Sequence, residues 1–487
     1  MNKKRMFIFC FLISFVILTI TSKSSFLYPF NDWGDANAFF TMGKGLMNGL
    51  IVFKDLFEQK GPLLYLIYGI SYLISNTSFL GVFILEVLSS TIFLYITSKI
   101  INLYLEEKYN YLILPLYAFL IFTSISFRHG GSCEEFCFPF LSLTLYELLR
   151  YLKEDYISYK RIYLVGVLAG LIFLIKYTLL GINFAFMLYL FLSLIIKKDY
   201  KKALISPCIY LLGMFTPIIP WLIYFGINHA LKDFLNVYLL INLFSYTETK
   251  TNLFIKLFMC FYNFLRNILA NKLVVLAFLS LIFPIVSKKV SNKEKIALLI
   301  TLIFAILFIY IGGIYLIYYC LPIFIFLIFS LIYLVSFIKP KESIKKYTLY
   351  FIILIILTFV VSPNTYLLKE KKEDLVQYKF RDIIMKSKNP TILNYGELDM
   401  GFYTVTGIIP NTKYFEKLNF KYDIYPQNVD ALNKYIKNKE IKYVIYVDDG
   451  KKDFPVSKDL GVTYQLIAKE TQNLEGKTFK YYLYELK

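Results

Sequence analysis

The chain has 487 residues, of which 57% are hydrophobic and 19% aromatic, whereas soluble domains are roughly 45–50% apolar. The formal charge of +19 would suggest a nucleic-acid partner in a soluble protein. Here the lysines instead cluster in short loops between apolar runs, as they do in the cytoplasmic loops of membrane proteins. The composition therefore excludes an ordinary soluble domain and predicts no nucleic-acid partner.

The apolar residues fall in runs of about 15–25 residues with almost no charge, which is enough for a helix to cross the bilayer core. The runs do not alternate between apolar and polar residues, as the strands of a membrane barrel would. The sequence therefore predicts an α-helical polytopic protein of the cell membrane.

The first run lies within residues 1–22, which begin with basic residues and resemble a signal peptide. No small-residue cleavage site precedes Phe26, so we interpret the segment as an uncleaved first transmembrane helix. Basic loops mark the cytoplasmic side, with the N-terminus cytoplasmic and the C-terminal domain extracytoplasmic. The apolar segment 61–75 is assigned as re-entrant or interfacial, because counting it as a span would place residues 128–135 inside. The charge pattern gives about eleven spans, beginning near residues 6, 79, 110, 136, 162, 177, 203, 273, 296, 314 and 347.

Two domains are expected: a transmembrane module at residues 1–362 and a small extracytoplasmic α/β domain at residues 363–487. The module has a long first outer loop at about residues 23–78, with apolar residues at helical spacing near Phe39. Further outer segments are expected near residues 127–136 and 227–272. Alternating strand and helix patterns predict the small α/β domain. Its predicted elements are strand Thr391–Tyr395, helix Val429–Asn438, strand Lys442–Val447 and strand Tyr481–Leu486.

Charged and aromatic residues are mixed in the first outer loop. Charges at a membrane surface are costly unless they are solvated or paired. The loop therefore holds either a functional cluster or a solvated surface on which Lys60 pairs with Glu58 or Asp55, and the residue types leave both interpretations open. The charged residues are Asp32, Asp35, Asp55, Glu58 and Lys60.

The second outer loop begins with Arg128 and contains two glycines, at which the backbone can bend sharply. Glu134 and Glu135 follow at the predicted start of a helix, where the helix dipole favours negative charge, so simple capping is the alternative to a functional role. Arg128 could bind a phosphate or anchor at the headgroups. Lys176 interrupts an apolar run at the outer side, where it could extend to the interface or meet an anionic lipid headgroup.

The order and outer placement of these motifs resemble those of the GT-C glycosyltransferases. The likeness is greatest to bacterial members of the dolichyl-phosphate-mannose protein mannosyltransferase and aminoarabinose transferase superfamily, which is similar to glycosyltransferase family 39. Many relatives carry a His before a Tyr at the start of a late span, where this chain reads Tyr318-Tyr319, so a metal or phosphate contact at that point is in doubt. The matching motifs are Gly34-Asp35 with Lys60-Gly61-Pro62, Gly130-Gly131 with Glu134-Glu135, Lys176 before Thr178, and Gly401–Gly407.

The resemblance implies a GT-C fold and a hexosyl- or pentosyltransferase that uses a polyprenyl-phosphate-linked sugar donor. The acceptor would be a glycan, lipid or protein of the cell envelope on the outer face of the membrane. Asp35 matches the family's first acidic position and is expected to be the general base. Cationic groups should hold the donor phosphate, and the candidates are Lys60, Arg128 and Lys176.

The remaining outer carboxylates are candidates for orienting the acceptor or a divalent metal ion: Asp55, Glu58, Glu134 and Glu135. Family members differ in their use of metal, so the resemblance leaves the cofactor open. Two alternatives share the polytopic architecture. A flippase or transporter of lipid-linked sugars would more often show internal repeats and midplane charges. An envelope-polysaccharide ligase or polymerase would have its main outer loop late in the chain.

Overall fold

The structure, a computed structural model, describes residues 3–245, 252–272, 275, 282–283, 285–338, 344–450, 454–474 and 476–487. The chain divides into two compact units, each built from separate stretches of sequence. The helical unit consists of Met1–Ser25, Phe83–Tyr224 and Glu248–Thr365. The mixed unit consists of Phe26–Val82, Phe225–Thr247 and Tyr366–Lys487.

The described residues form mainly helices. In chain order the α-helices are α1 (Lys3–Thr21), α2 (Gly34–Met47), α3 (Pro62–Ile74), α4 (Leu80–Ile101), α5 (Asn110–Phe122), α6 (Cys133–Phe136), α7 (Phe138–Glu154), α8 (Tyr159–Lys176), α9 (Gly181–Ile196), α10 (Tyr200–Ile227), α11 (Leu231–Phe234), α12 (Leu253–Ala270), α13 (Asn292–Tyr310), α14 (Leu327–Val335), α15 (Ile344–Val361), α16 (Val376–Ile384), α17 (Phe402–Thr406), α18 (Pro426–Lys437) and α19 (Asp459–Thr463). The other helical segments are a π-helix at Leu235–Ser245 and 3-10 helices at Glu107–Tyr109, Tyr177–Leu179, Ile317–Phe326, Thr365–Lys369 and Lys372–Asp374.

Long apolar helices dominate the helical unit, because a helix satisfies its own backbone hydrogen bonds where the bilayer supplies no partners. Within the described residues, six helices are long and apolar enough to cross a membrane. They are Lys3–Thr21, Leu80–Ile101, Tyr159–Leu179, Tyr200–Ile227, Leu253–Ala270 and Ile317–Val335. The predicted α-helical polytopic character is therefore confirmed.

The predicted spans compare with these helices as follows. The span expected near residue 273 begins outside the described residues, and each of the others begins near a helical segment. Segment 61–75, assigned as re-entrant or interfacial, contains the 13-residue helix α3. The segment 227–272 contains α12, which is itself long enough to cross a membrane. The number of crossings and the orientation of the termini stay predictions.

The mixed unit is organised around a four-stranded sheet with the order β1-β2-β4-β3. β1 and β2 are parallel, whereas β4 pairs with β2 and β3 in antiparallel fashion. Helix α18 buries Leu432 and Ile436 in the same core cluster as Leu393 and Val444 of the sheet. The predicted small α/β fold of the C-terminal residues is therefore confirmed. The strands are β1 (Ile392–Tyr395), β2 (Tyr443–Asp448), β3 (Tyr464–Leu474) and β4 (Lys477–Leu486).

Helices α2 and α3 of the mixed unit pack backbone against backbone at Gly43. A Cβ atom at this position would lie 2.5 Å from the Gly69 nitrogen and 2.8 Å from the Tyr65 carbonyl oxygen. We expect Gly43→Ala to lower the free energy of unfolding by about 1–3 kcal/mol, because rigid backbone atoms must move apart. Thermal unfolding in detergent measures the effect.

The matched control is Gly226→Ala, because a Cβ there meets no atom within 4 Å. Alanine has the higher helix propensity, so this variant should be as stable as the wild type or slightly more stable. Equal unfolding midpoints for the Gly43 variant and the wild type would contradict the close packing of α2 on α3.

Candidate active site

Asp35 lies in the first turn of α2, directly after the residue that begins the helix. The residue before the helix, Trp33, has an extended backbone and makes no side-chain cap. The carboxylate of Asp35 is half-buried at the positive end of the helix dipole. This position favours the ionised carboxylate, which is the form that a general base requires.

Lys60 and Glu58 form an ion pair in the loop before α3. The Lys60 Nζ lies 3.4 Å from Glu58 Oε1, and the Lys60 backbone nitrogen donates to Glu58 Oε2 at 2.8 Å. Tyr65 donates its hydroxyl to the same oxygen of Glu58. The Lys60 ammonium also lies 5.6 Å from the centre of the Phe39 ring, and its side chain is 26% exposed. Lys60 is thus held in place with part of its surface open to a ligand.

Asp55 contributes to the structure of the loop in which it lies. Its Oδ2 accepts a hydrogen bond from the Ile51 backbone nitrogen at 2.8 Å, which stabilises the tight loop after α2. At Phe53 this loop has a positive φ of 71°, a conformation that is rare for a bulky residue. The described contacts of Asp55 therefore favour a role in loop structure.

Glu134 and Lys176 form a second ion pair, in the helical unit. The Lys176 Nζ lies 2.5 Å from Glu134 Oε1, and the two side chains are 11% and 1% exposed. The Lys176 ammonium also lies 3.9 Å from the centre of the Tyr319 ring and 5.8 Å from that of Tyr318. The tyrosine pair at the position where relatives carry His-Tyr thus contacts the cation.

The glycine turn before α6 places Glu135. Gly130 and Gly131 both have a φ of +78°, which favours glycine. Glu135 Oε2 accepts from the Gly131 nitrogen at 2.8 Å, and Ser132 caps the helix by accepting from the Glu135 nitrogen at 3.1 Å. Burial, together with the nearby Glu86 carboxylate, raises the pKa of Glu135 well above its usual value. Helix capping, which the sequence analysis gave as the alternative to a functional role, is therefore present at Glu135.

Arg128 lies just before this turn and is half-buried. Its backbone nitrogen donates to the Ser124 oxygen at 3.3 Å, and its carbonyl accepts from the Asn364 side chain at 2.5 Å. The backbone of Arg128 is thus fixed from both sides, so the guanidinium starts from a defined position.

The structure therefore brings the predicted site residues together in two pairs. Glu58 lies with Lys60 in the mixed unit, and Glu134 lies with Lys176 in the helical unit. Asp35 and Asp55 also lie in the mixed unit, and Arg128 and Glu135 lie in the helical unit.

The candidate carboxylates do not fit a divalent metal ion. Within the part of the chain that the structure describes, no group of three or more His, Cys, Asp or Glu side chains could hold one. Glu58 and Glu134 each already form an ion pair with a lysine. No step of the chemistry is therefore assigned to a metal.

The sequence analysis missed a buried charged cluster in the mixed unit. Lys44 on α2 and Asp399 after β1 are fully buried, and Glu416 is 1% exposed. A polar stripe at helical spacing on α2 is the signal that could have revealed it, because Asn37, Thr41 and Lys44 lie on one face.

Comparison with known proteins agrees with this architecture. Residues 59–224 match the family model of dolichyl-phosphate-mannose-protein mannosyltransferases. The whole chain is similar to the crystal structure of ArnT from Cupriavidus metallidurans bound to undecaprenyl phosphate, with a TM-score of 0.62 and 12% identity. This similarity covers 98% of this chain and 97% of that chain. No curated protein sequence matches. The predicted resemblance to the GT-C glycosyltransferases is therefore confirmed, and the chain has the fold of ArnT.

Proposed function

We propose that this protein is a membrane glycosyltransferase that moves a sugar from a polyprenyl-phosphate donor to an acceptor of the cell envelope. The observation that carries the proposal is the likeness to ArnT over almost the whole chain, because that structure holds undecaprenyl phosphate. The mannosyltransferase family match adds support, since it includes Lys60, Arg128 and Lys176. The sugar is a hexose or a pentose, and the reaction takes place on the outer face of the membrane.

Asp35 is the general base in this proposal. Its carboxylate takes the proton from an acceptor hydroxyl, and the hydroxyl oxygen attacks the anomeric carbon of the sugar. The bond between that carbon and the phosphate oxygen breaks, and the electron pair leaves with the polyprenyl phosphate. A single displacement of this kind inverts the anomeric configuration. The position in the first turn of α2 supports the role, because the positive end of the helix dipole favours a negatively charged carboxylate.

Lys60, Arg128 and Lys176 bind the donor phosphate in this proposal. An ammonium group has three N–H donors, so a lysine that is paired with one glutamate can still donate to a phosphate. The glutamates Glu58 and Glu134 hold the ammonium groups of Lys60 and Lys176 in place before the donor arrives. Positioned cations of this kind stabilise the charge that develops on a leaving phosphate.

The acceptor is a glycan, a lipid or a protein. Of the four candidate carboxylates, Glu58 and Glu134 remain candidates for orienting it, since both are fixed by a lysine. Asp55 stabilises the loop after α2 and Glu135 stabilises the glycine turn before α6, which favours a structural role for both.

The test uses purified full-length protein in detergent with radiolabelled polyprenyl-phosphate sugars and an envelope extract. Transfer of the label, or release of sugar from the lipid, is the expected result. Absence of transfer and release with every donor would contradict the proposal. Movement of labelled lipid across reconstituted vesicles would then favour a flippase.

Lys60→Ala should mainly weaken donor binding. Loss of one hydrogen bond to a charged group costs about 1.5–3 kcal/mol, which corresponds to a KM for the donor roughly 10- to 100-fold higher. The value of kcat should change much less. Steady-state kinetics with varied donor concentration measure both constants.

Lys54→Ala is the matched control, because Lys54 lies in the same loop and donates to the Asn228 carbonyl at 3.0 Å. It should leave the donor KM unchanged. An equal rise of KM in both variants would show that the effect comes from general loop charge and not from phosphate binding by Lys60.

A further inference from the structure

Helix α2 packs along one segment of the C-terminal residues, and the contacts run from its first turn to its last. A Cβ at Gly34 would lie 3.1 Å from the Leu398 Cβ, so the two backbones are close at the start of the helix. Two side-chain hydrogen bonds and one to a backbone carbonyl follow. They join Thr404 Oγ1 to Asn37 Oδ1 at 2.8 Å, Thr41 Oγ1 to Asp399 Oδ2 at 2.6 Å, and Lys44 Nζ to Tyr403 O at 2.6 Å.

Lys44 is the unusual member of this series. Its side chain is fully buried in the last turn of α2, and its ammonium donates to a backbone carbonyl. A buried ammonium is costly unless an opposite charge is close. Asp399 is the nearby opposite charge: it accepts from Thr41, one turn before Lys44 on the same helix, and its carboxylate favours the protonated form of Lys44.

Asp399 accepts three hydrogen bonds, as an ionised carboxylate requires. Thr41 donates to Oδ2, while the Asn394 side chain at 3.0 Å and the Gly401 nitrogen at 2.8 Å donate to Oδ1. Burial raises the pKa of Asp399, but these donors and Lys44 oppose the shift. These hydrogen bonds therefore stabilise the ionised form of Asp399 against the effect of its burial.

Glu416 completes the cluster, and its burial favours the neutral form. Its Oε2 accepts from the Asp399 nitrogen at 2.6 Å, and its buried Oε1 has no hydrogen-bond partner among the described residues. Burial, with Asp399 nearby, raises the pKa of Glu416 well above its usual value. While Lys44 is protonated, below its pKa of about 7, its positive charge faces the carboxylate of Asp399.

The proposed base Asp35 stands at the other end of the same 14-residue helix. A helix that is fixed at its last turn and along one face cannot slide or rotate, so its first turn is fixed as well. Hydrophobic residues could supply the same packing without charges. Directional hydrogen bonds differ in that they also set the register of the helix along its neighbour.

We propose that the buried Lys44–Asp399 pair positions Asp35 for proton transfer, so the C-terminal residues take part in catalysis by fixing α2. The inference rests on the proposed function. Lys44 and Asp399 are positioning residues in it, since neither touches the substrate.

The central experiment compares three full-length variants with the wild type. Lys44→Met and Asp399→Asn each leave one partner of the pair, and the double variant removes both charges. We expect each single variant to lower kcat at least tenfold with little change in the donor KM, and to lower the unfolding midpoint. The double variant should recover the unfolding midpoint but not kcat, because no uncompensated buried charge remains while the hydrogen bond of Lys44 that sets the register is lost.

Lys379→Met is the matched control. It breaks an ion pair with Glu470 at 3.0 Å on the exposed surface of the same unit, so kcat and the unfolding midpoint should stay at wild-type values. Recovery of kcat together with stability in the double variant would overturn the inference, because the pair would then be only structural. Absence of any transfer by the wild type would refute the proposed function itself and the inference with it.

Thr41→Val tests the same idea without removing a charge. It deletes one hydrogen bond to Asp399 and keeps the shape of the side chain, so the fold should survive even where the Lys44 variant does not. We expect a several-fold lower kcat with an unchanged donor KM. A wild-type kcat in folded Thr41→Val protein would overturn the inference.

Hydrogen exchange of the α2 amides gives an independent readout of the burial of Lys44. Burial lowers the pKa of Lys44 to about 7, against the attraction of Asp399. When α2 opens, Lys44 returns to its ordinary higher pKa, so the open state binds more protons above pH 7. The protection of α2 should therefore rise with pH between about 7 and 9, by up to roughly tenfold per pH unit for one proton.

Other titratable groups near Lys44 also affect the pH dependence of α2 protection. Asp399 and Glu416 have raised pKa values and act in the opposite direction, and the titratable residues of α3 are its tyrosines. The quantity to compare is therefore the ratio of α2 protection in the wild type to that in Lys44→Met. A ratio that rises with pH is expected, and a ratio independent of pH would contradict a buried, titrating Lys44.

Discussion

Asp35→Asn should abolish sugar transfer while leaving donor binding intact. The amide has nearly the shape of the carboxylate, but it cannot accept the proton of an acceptor hydroxyl. General-base catalysis contributes about 100- to 10,000-fold to a rate, so kcat should fall by that factor. Initial rates with a radiolabelled polyprenyl-phosphate sugar measure the loss, and equilibrium binding of the donor in detergent should match the wild type.

The control for this variant is Asp32→Asn, which removes a carboxylate three residues earlier, before α2 begins. It should keep kcat within a few-fold of the wild type. Normal turnover by purified Asp35→Asn protein would exclude Asp35 as the base. Equal losses in both variants would indicate that the net charge of the loop, and not one proton acceptor, controls the rate.

The helical architecture was predictable because apolar runs are a local property of the sequence. The same holds for β1, β2 and β4, whose predicted positions overlap the observed strands. Strand β3 was missed because it lies at the edge of the sheet and most of its residues are exposed or partly exposed. Its sequence is polar at many positions and so lacks the apolar run by which the other strands were found.

The candidate residues were predictable only as single positions. The sequence left Lys60 with two possible partners, Glu58 and Asp55, because both lie within a few residues of it. The pair of Lys176 with Glu134 joins residues separated by 42 positions, and no spacing rule connects them. Such pairs depend on tertiary packing, which composition and periodicity do not report.

The buried cluster shows the same limit more strongly. Lys44 contacts the carbonyl of Tyr403, which lies 359 residues later in the chain. The sequence analysis singled out Gly401–Gly407 only for its family resemblance, and it did not use the polar stripe on α2. Both contacting segments can be read in the sequence, but only the tertiary structure shows that they touch.

The pair of Lys176 with Glu134 yields the second large effect. Lys176→Met should lower the free energy of unfolding by about 3–5 kcal/mol, because it leaves an almost fully buried carboxylate without its cation. Lys176→Met/Glu134→Gln removes both charges and should recover most of this loss. Thermal unfolding of the purified proteins in detergent measures both changes.

Activity separates the two roles of Lys176, because stability and phosphate binding respond differently to the double variant. If Lys176 binds the donor phosphate, the double variant should have a donor KM at least tenfold above that of the wild type, although its free energy of unfolding is close to the wild-type value. The exposed pair of Arg150 with Glu154 supplies the control, since Arg150→Met should change neither quantity by much. A wild-type donor KM in the stable double variant would leave Lys176 with a purely structural role and place phosphate binding on Lys60 and Arg128.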